Sequence, residues 1–202
     1  MELIRDLAIL RADFPILSRC VYGKPLVYLD SAATSQRPKR VLDAITHFYE
    51  NENANVHRGV YYLSERATER FEEVRGKVAK FIGAPDKDCV IYTRGTSEAI
   101  NLVAQTWGAQ TLRPGDEILV SAMEHHANLV TWQQMAKQTG AHLRIIPLRA
   151  TGELDMQAYQ NMLSENTRMV AVTHVSNVLG TVNPVEEIVR KAKVVGAVTL
   201  ID

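Results

Sequence analysis

The chain has 202 residues, 46% of them hydrophobic, with 23 basic and 23 acidic side chains and a formal net charge of zero. Such a composition supports a sizeable core, and no basic stripe argues for a nucleic-acid binder and no acidic run for a tail. No apolar run approaches the roughly 20 residues of a membrane span, and Met1–Asp6 lacks the basic-then-apolar pattern of a secretory leader.

Along the chain, residues 3–12 read as a short helix or arm, and Pro15 and Gly23-Lys24-Pro25 as punctuation. Cys20 and Cys89 match no zinc spacing and read as reduced thiols of a cytoplasmic protein. Leu26–Asp30 is expected to form a short strand, followed by the small-residue loop Ser31–Thr34. Pro38 suits the first turn of a helix running to about residue 52. After an irregular stretch, Asn53 to Tyr61, Ser64 is expected to cap an amphipathic helix. Its apolar face would carry Ala67, Phe71, Val74, Val78, Phe81 and Ile82.

From residue 88 the pattern becomes regular. Apolar runs at 88–93, 117–122, 142–147, 168–173 and 197–201 alternate with helical stretches near 97–109, 127–140, 155–164 and 184–195. Gly115, Gly140 and Gly196 mark turns, and Pro184 suits a first helical turn. This alternation predicts an α/β fold with a mostly parallel sheet and helices on both faces. Ligands of such sheets bind beyond the carboxyl ends of the strands.

The polar residues just after the expected strands are therefore the candidates. Arg94-Gly95-Thr96-Ser97 combines a glycine, two hydroxyls and a helix start, which suits an anion, although Thr96 and Ser97 also fit simple helix caps. Neither the dinucleotide glycine fingerprint nor a P-loop occurs. His125 and His126 suit an aromatic ligand, proton transfer or plain local hydrogen bonds; a metal site using His57, one of them and Asp202 also stays open. Asn177 fits a turn asparagine or a ligand contact. Asp202, ending an apolar run, fits an aspartate capping the next loop or a carboxylate facing a cation such as a protonated ring nitrogen. His57 and Arg58 lie in a polar loop and fit either plain surface residues or a loop that reaches over a site.

Five segments carry a family resemblance: Leu29-Asp30-Ser31-Ala32-Ala33, Val56-His57-Arg58-Gly59, Arg94-Gly95-Thr96-Ser97-Glu98, Met123-Glu124-His125-His126-Ala127-Asn128 and Thr173-His174-Val175-Ser176-Asn177-Val178-Leu179-Gly180. In this order, ahead of Asp202, they resemble the amino-terminal half of a group II (SufS/CsdA-type) cysteine desulfurase of the class V aminotransferase family. The resemblance implies a fold-type I pyridoxal-phosphate enzyme. Residues 1–25 would be an arm, and 26–202 the first part of the large cofactor-binding domain. Thr96 and Ser97 would bind the cofactor phosphate, and His125 would stack on the ring and act in catalysis. Asp202 would pair with the ring nitrogen, and Asn177 would face cofactor and substrate. Ala32, Ala33 and His57 would line the substrate pocket.

The implied reaction converts L-cysteine to L-alanine and passes sulfur, as a persulfide, to an acceptor protein of iron–sulfur assembly. A cytoplasmic homodimer without resident metal is implied. The family's tethering lysine and nucleophilic cysteine have no counterpart here, so the 202-residue chain is expected to be inactive alone. Alternatives are a selenocysteine lyase or another class V aminotransferase and, outside that family, a metal-dependent hydrolase or a non-catalytic binding module.

Overall fold

The computed structural model describes residues 7–202, which divide into two compact units that meet between Tyr92 and Thr93. In the first unit, helix α1 (Leu7–Ala12) accounts for the described part of the expected arm; residues 3–6 lie outside the described residues. Strands β1 (Cys20–Val21) and β2 (Lys24–Pro25) form an antiparallel hairpin. Tyr22 and Gly23, both at positive φ (53° and 74°), make its two-residue turn, the backbone that suits the twist of a tight hairpin. Arg11 pins α1 to this hairpin by donating to the carbonyls of Leu17 and Leu26, each at 2.7 Å.

The expected strand at 26–30 does not form. Leu26 donates to the Arg19 carbonyl at 2.9 Å, but Val27 and Leu29 are exposed, no strand among the described residues pairs with 27–30, and the chain turns as Ala33 and Thr34 donate back to the Asp30 carbonyl. An apolar alternation becomes a strand only when a partner satisfies its backbone groups.

Helix α2 (Lys39–Asn51) begins directly after Pro38, as expected. Residues 53–61 are irregular, also as expected. Helix α3 (Tyr62–Ile82) corrects two expectations. Ser64 lies inside its first turn and is fully buried; its hydroxyl donates to the Asn55 carbonyl at 2.6 Å and accepts the Gly59 N–H at 3.0 Å. It therefore anchors the preceding loop and does not cap the helix. The buried positions are Ser64, Ala67 and Ala79, whereas Val74, Phe81 and Ile82 stay exposed. The run at 88–93 also fails to become a strand. A short turn at Lys87–Cys89, capped by Asp86, leads into an extended segment that has no strand partner among the described residues.

The second unit follows the expected alternation closely. Helices α4 (Thr96–Val103) and α5 (Ala109–Thr111) join through a wider π turn, Ala104–Gly108. Next come β3 (Glu117–Ser121), α6 (His126–Thr139), β4 (His142–Ile146), α7 (Met156–Met162), β5 (Thr167–Val172), α8 (Val185–Val194) and β6 (Val198–Ile201). The four strands form one parallel sheet in the order β4-β3-β5-β6. Gly115, Gly140 and Gly196 all take left-handed backbone at the connecting turns.

Strand alternation sends side chains to two cores. Ile118, Val120, Met169 and Ala171 pack with Ile100, Ala104, Trp132 and Met135 of the α4 and α6 layer. Leu119, Val170 and Val172 pack with Tyr159, Ile188 and Ala192 of α7 and α8 on the other face. A Cβ at Gly108 would meet Met135 Cγ at 3.2 Å, so the absence of a side chain there allows the π turn and α6 to approach.

Candidate functional site

In a parallel sheet all carboxyl ends share one edge, and helices that return to the amino ends begin at that edge. Helix α6 starts there directly after β3. The α4–α5 segment belongs there by length. Thr96 to Thr111 rises about 24 Å at 1.5 Å per residue, lies on the sheet face, and enters β3 through the short turn before Glu117.

At the start of α4 the first intrahelical bond runs from the Ala99 N–H to the Gly95 carbonyl at 3.1 Å. The N–H groups of Thr96, Ser97 and Glu98 therefore lack helical acceptors, and the first two of these residues are exposed. Glu98 reaches back to accept the Arg94 N–H at 2.5 Å and bonds the Arg94 guanidinium. That guanidinium, with the Arg94 N–H, holds the Glu98 carboxyl below its ordinary range.

At the end of β3, Glu124 is the central group. Its carboxylate accepts from Ser121 Oγ, from Asn128 Nδ2 at 2.7 Å and from the Thr173 N–H at 2.8 Å. Burial pushes its carboxyl above the ordinary value; the three hydrogen bonds oppose that rise and the nearby Asp202 carboxylate adds to it. The adjacent His125 precedes α6, and its Nδ1 accepts the Ala127 N–H at 3.1 Å. Accepting there assigns the proton to Nε2 and fixes the ring, which is exposed and meets His126 edge-on.

Past β5, the chain closes a tight loop in which the buried Ser176 hydroxyl accepts from the N–H groups of Val178 and Leu179. This loop leaves Asn177 exposed. Asp202 sits half-buried at the end of β6; its N–H donates to Val172 at 3.0 Å and its carbonyl accepts the His174 N–H at 2.8 Å. Thr96, Ser97, His125, Asn177 and Asp202 thus belong to one sheet edge.

The remaining sequence-derived residues lie in the first unit. Ala32 and Ala33 occupy the turn after Asp30. His57 takes left-handed backbone, φ 66°, with its N–H on Thr68 Oγ1 and its ring edge-on to Phe71. Its Nε2 lies 3.6 Å from Glu72. Lys87, donating to Glu72, and Arg75 hold that carboxylate below its ordinary range against the opposing effect of burial.

Sequence reasoning missed Glu124 and Thr173 as organising residues. The available signal was an acidic residue directly after a buried strand, which must find donors. Chemically, the edge offers N–H and hydroxyl donors for a phosphate, an imidazole face for an aromatic ring and a carboxylate for a protonated nitrogen. The second unit places no lysine at this edge for covalent attachment. Lys137, Lys191 and Lys193 are the lysines of this unit, all in final helical turns at the opposite edge. Among the described residues no three His, Cys, Asp or Glu side chains are grouped to hold a metal ion.

A parallel sheet sandwiched between helices, with these groups beyond its carboxyl ends, is the architecture of an α/β domain that binds a ligand at that edge. The chain belongs to the class-V aminotransferase family, whose model matches residues 27–202. It is 53% identical over 192 residues to a cysteine desulfurase of Yersinia pestis (strain Pestoides F), covering 95% of this chain and 47% of that protein. The apo structure of a cysteine desulfurase from Thermococcus onnurineus NA1 superposes with a TM-score of 0.89 at 38% identity, covering 100% of this chain and 48% of that one. The cysteine desulfurase CsdA from Escherichia coli, in its S-sulfonic acid form, gives 0.83 at 39% identity, with 98% and 48% coverage. The chain spans about half the length of these relatives.

Proposed function

We propose that this chain is the cofactor-holding part of a cysteine desulfurase that takes sulfur from L-cysteine, leaving L-alanine. The observation that carries this reading is the shared sheet edge of Thr96, Ser97, His125, Asn177 and Asp202 in a chain about half identical to a named cysteine desulfurase. In this reading residues 26–202 are the first part of the large domain and residues 1–25 its arm.

Bound pyridoxal phosphate would supply an electron sink for carbanion chemistry at the substrate Cα. The residues of this chain hold it and orient it. Thr96 and Ser97 offer N–H and hydroxyl groups to the phosphate at the positive end of α4. His125, its ring fixed by Ala127, would hold the aromatic ring and carry a proton through Nε2. Asp202 would supply the carboxylate that favours a protonated ring nitrogen. Asn177 offers its amide to cofactor and substrate oxygens, and the reading assigns substrate contact to Ala32, Ala33 and His57 as well. Sulfur would leave as a persulfide on a cysteine of the whole protein and pass to an acceptor of iron–sulfur assembly, in a cytoplasmic homodimer.

Titration of the chain with pyridoxal 5′-phosphate tests the reading. Saturable binding that weakens in Asp202→Ala is expected; binding unchanged by that substitution would sink it. For the whole protein, alanine and sulfide formation from L-cysteine is the matching assay.

A further inference from the structure

Glu124 has no role in the reading above, yet it directly precedes His125 in the chain and its carboxylate accepts the N–H of Thr173, the neighbour of the His174 that holds Asp202. All three of its partners donate. Ser121 Oγ accepts the Met123 N–H at 3.3 Å, which directs its own proton to Glu124. The Asn128 amide is oriented by the buried Trp132 indole, whose N–H takes the Asn128 oxygen at 2.9 Å. Only the Asn128 NH2 is left for Glu124. The third donor is the Thr173 backbone. A carboxyl met by donors alone is an acceptor-only, ionised carboxylate.

Those donors come from three places: the end of β3, the first turns of α6 and the end of β5. His125 is the next residue in the chain. On the other side, Thr173 is followed by His174, whose N–H holds the Asp202 carbonyl at 2.8 Å. The Thr173 hydroxyl reaches that carbonyl at 3.4 Å. One carboxylate therefore ties the segment bearing the imidazole to the segment bearing the terminal carboxylate.

We propose, resting on the function proposed above, that Glu124 is a positioning residue for the cofactor: by joining the ends of β3 and β5 it sets the His125 ring against the Asp202 carboxylate. A stabilising contact without this role would affect melting alone. A positioning contact also sets how the ring is held, and that is visible in the bound chromophore.

The test compares pyridoxal 5′-phosphate binding by the 202-residue chain and its Glu124→Gln variant, at a temperature where their far-ultraviolet circular dichroism is the same. Glutamine keeps the shape but turns an NH2 toward donors, so about tenfold weaker binding is expected. The induced circular dichroism of the bound cofactor should fall with it. A variant that melts earlier but binds as tightly, with an unchanged induced band, overturns the proposal. If Glu124→Gln does not fold, Ser121→Ala decides: it removes one donor and leaves the carboxylate. A smaller change of the same kind supports the proposal, and unchanged affinity and band overturn it. Absence of binding by the unmodified chain defeats the proposed function and this inference with it, which separates the two failures.

Discussion

The backbone N–H of Thr173 donates to the Glu124 carboxylate at 2.8 Å across 49 positions of sequence. This bond joins the carboxyl ends of two adjacent parallel strands. It is the clearest sign that the polar segments beyond those strands form one structure and not several independent loops.

Asn128→Ala tests the buried polar chain behind that bond. The substitution leaves the Trp132 indole N–H without an acceptor and removes one donor from Glu124. Each is buried or half-buried, and an orphaned buried donor costs about 1–3 kcal/mol. Urea unfolding should show a loss in that range, with Asn128→Asp no better because it sets a second carboxylate beside the first.

The raised Glu124 carboxyl gives a pH dependence of defined sign. A carboxyl that is easier to protonate folded than unfolded adds stability below its ordinary value of 4.5. That contribution is lost as pH rises through the folded value. The unmodified chain should therefore lose stability relative to Glu124→Gln as pH increases above 4.5. Chemical denaturation of both proteins across that range checks the slope, and a slope of opposite sign refutes it.

Thr96→Ala with Ser97→Ala removes both hydroxyls from the start of α4 and leaves its N–H groups in place. Affinity for pyridoxal 5′-phosphate should fall by about tenfold, as expected for lost bonds to a charged group. Affinity for pyridoxal, which lacks the phosphate, should not change. Fluorescence titration with both ligands separates the hydroxyl contribution from general damage to the fold.

The sheet edge of the second unit lacks a lysine. A polypeptide of these 202 residues should therefore hold pyridoxal phosphate reversibly at that edge. Borohydride followed by peptide mapping should find no reduced adduct there, and L-cysteine should yield no sulfide. A specific adduct at a single site near the edge, or sulfide release, would contradict this.

Gly59→Ala tests the loop that carries His57. A Cβ at position 59 would lie 2.5 Å from both Cβ and Oγ of the buried Ser64 and 2.6 Å from the Tyr61 ring. The loop must shift, breaking the Gly59–Ser64 bond, at a cost of about 1–3 kcal/mol. Hydrogen exchange should show faster opening of residues 55–64.

Much of the second unit was legible in the sequence because each signal there was local and redundant. Buried parallel strands read as short apolar runs, left-handed glycines close the connecting turns, and helical periods fill the gaps. The first unit was less legible. Residues 27–30 and 90–93 have the side chains of strands but no strand partner among the described residues, and Phe81 and Ile82 continue an apolar face that stays exposed. Ser64 has the residue type of a cap but a position inside the helix, where its hydroxyl serves the loop before it.

The sequence by itself determined the alternation of strands and helices and, through its motifs, the family and the residues beyond the strands. Strand register and edge were outside its reach, because they depend on hydrogen bonds between segments far apart in the chain. Only the tertiary structure decided that Glu124 binds Ser121, Asn128 and Thr173 at once. A buried carboxylate must find donors, and which ones it finds is settled by the strands that become neighbours.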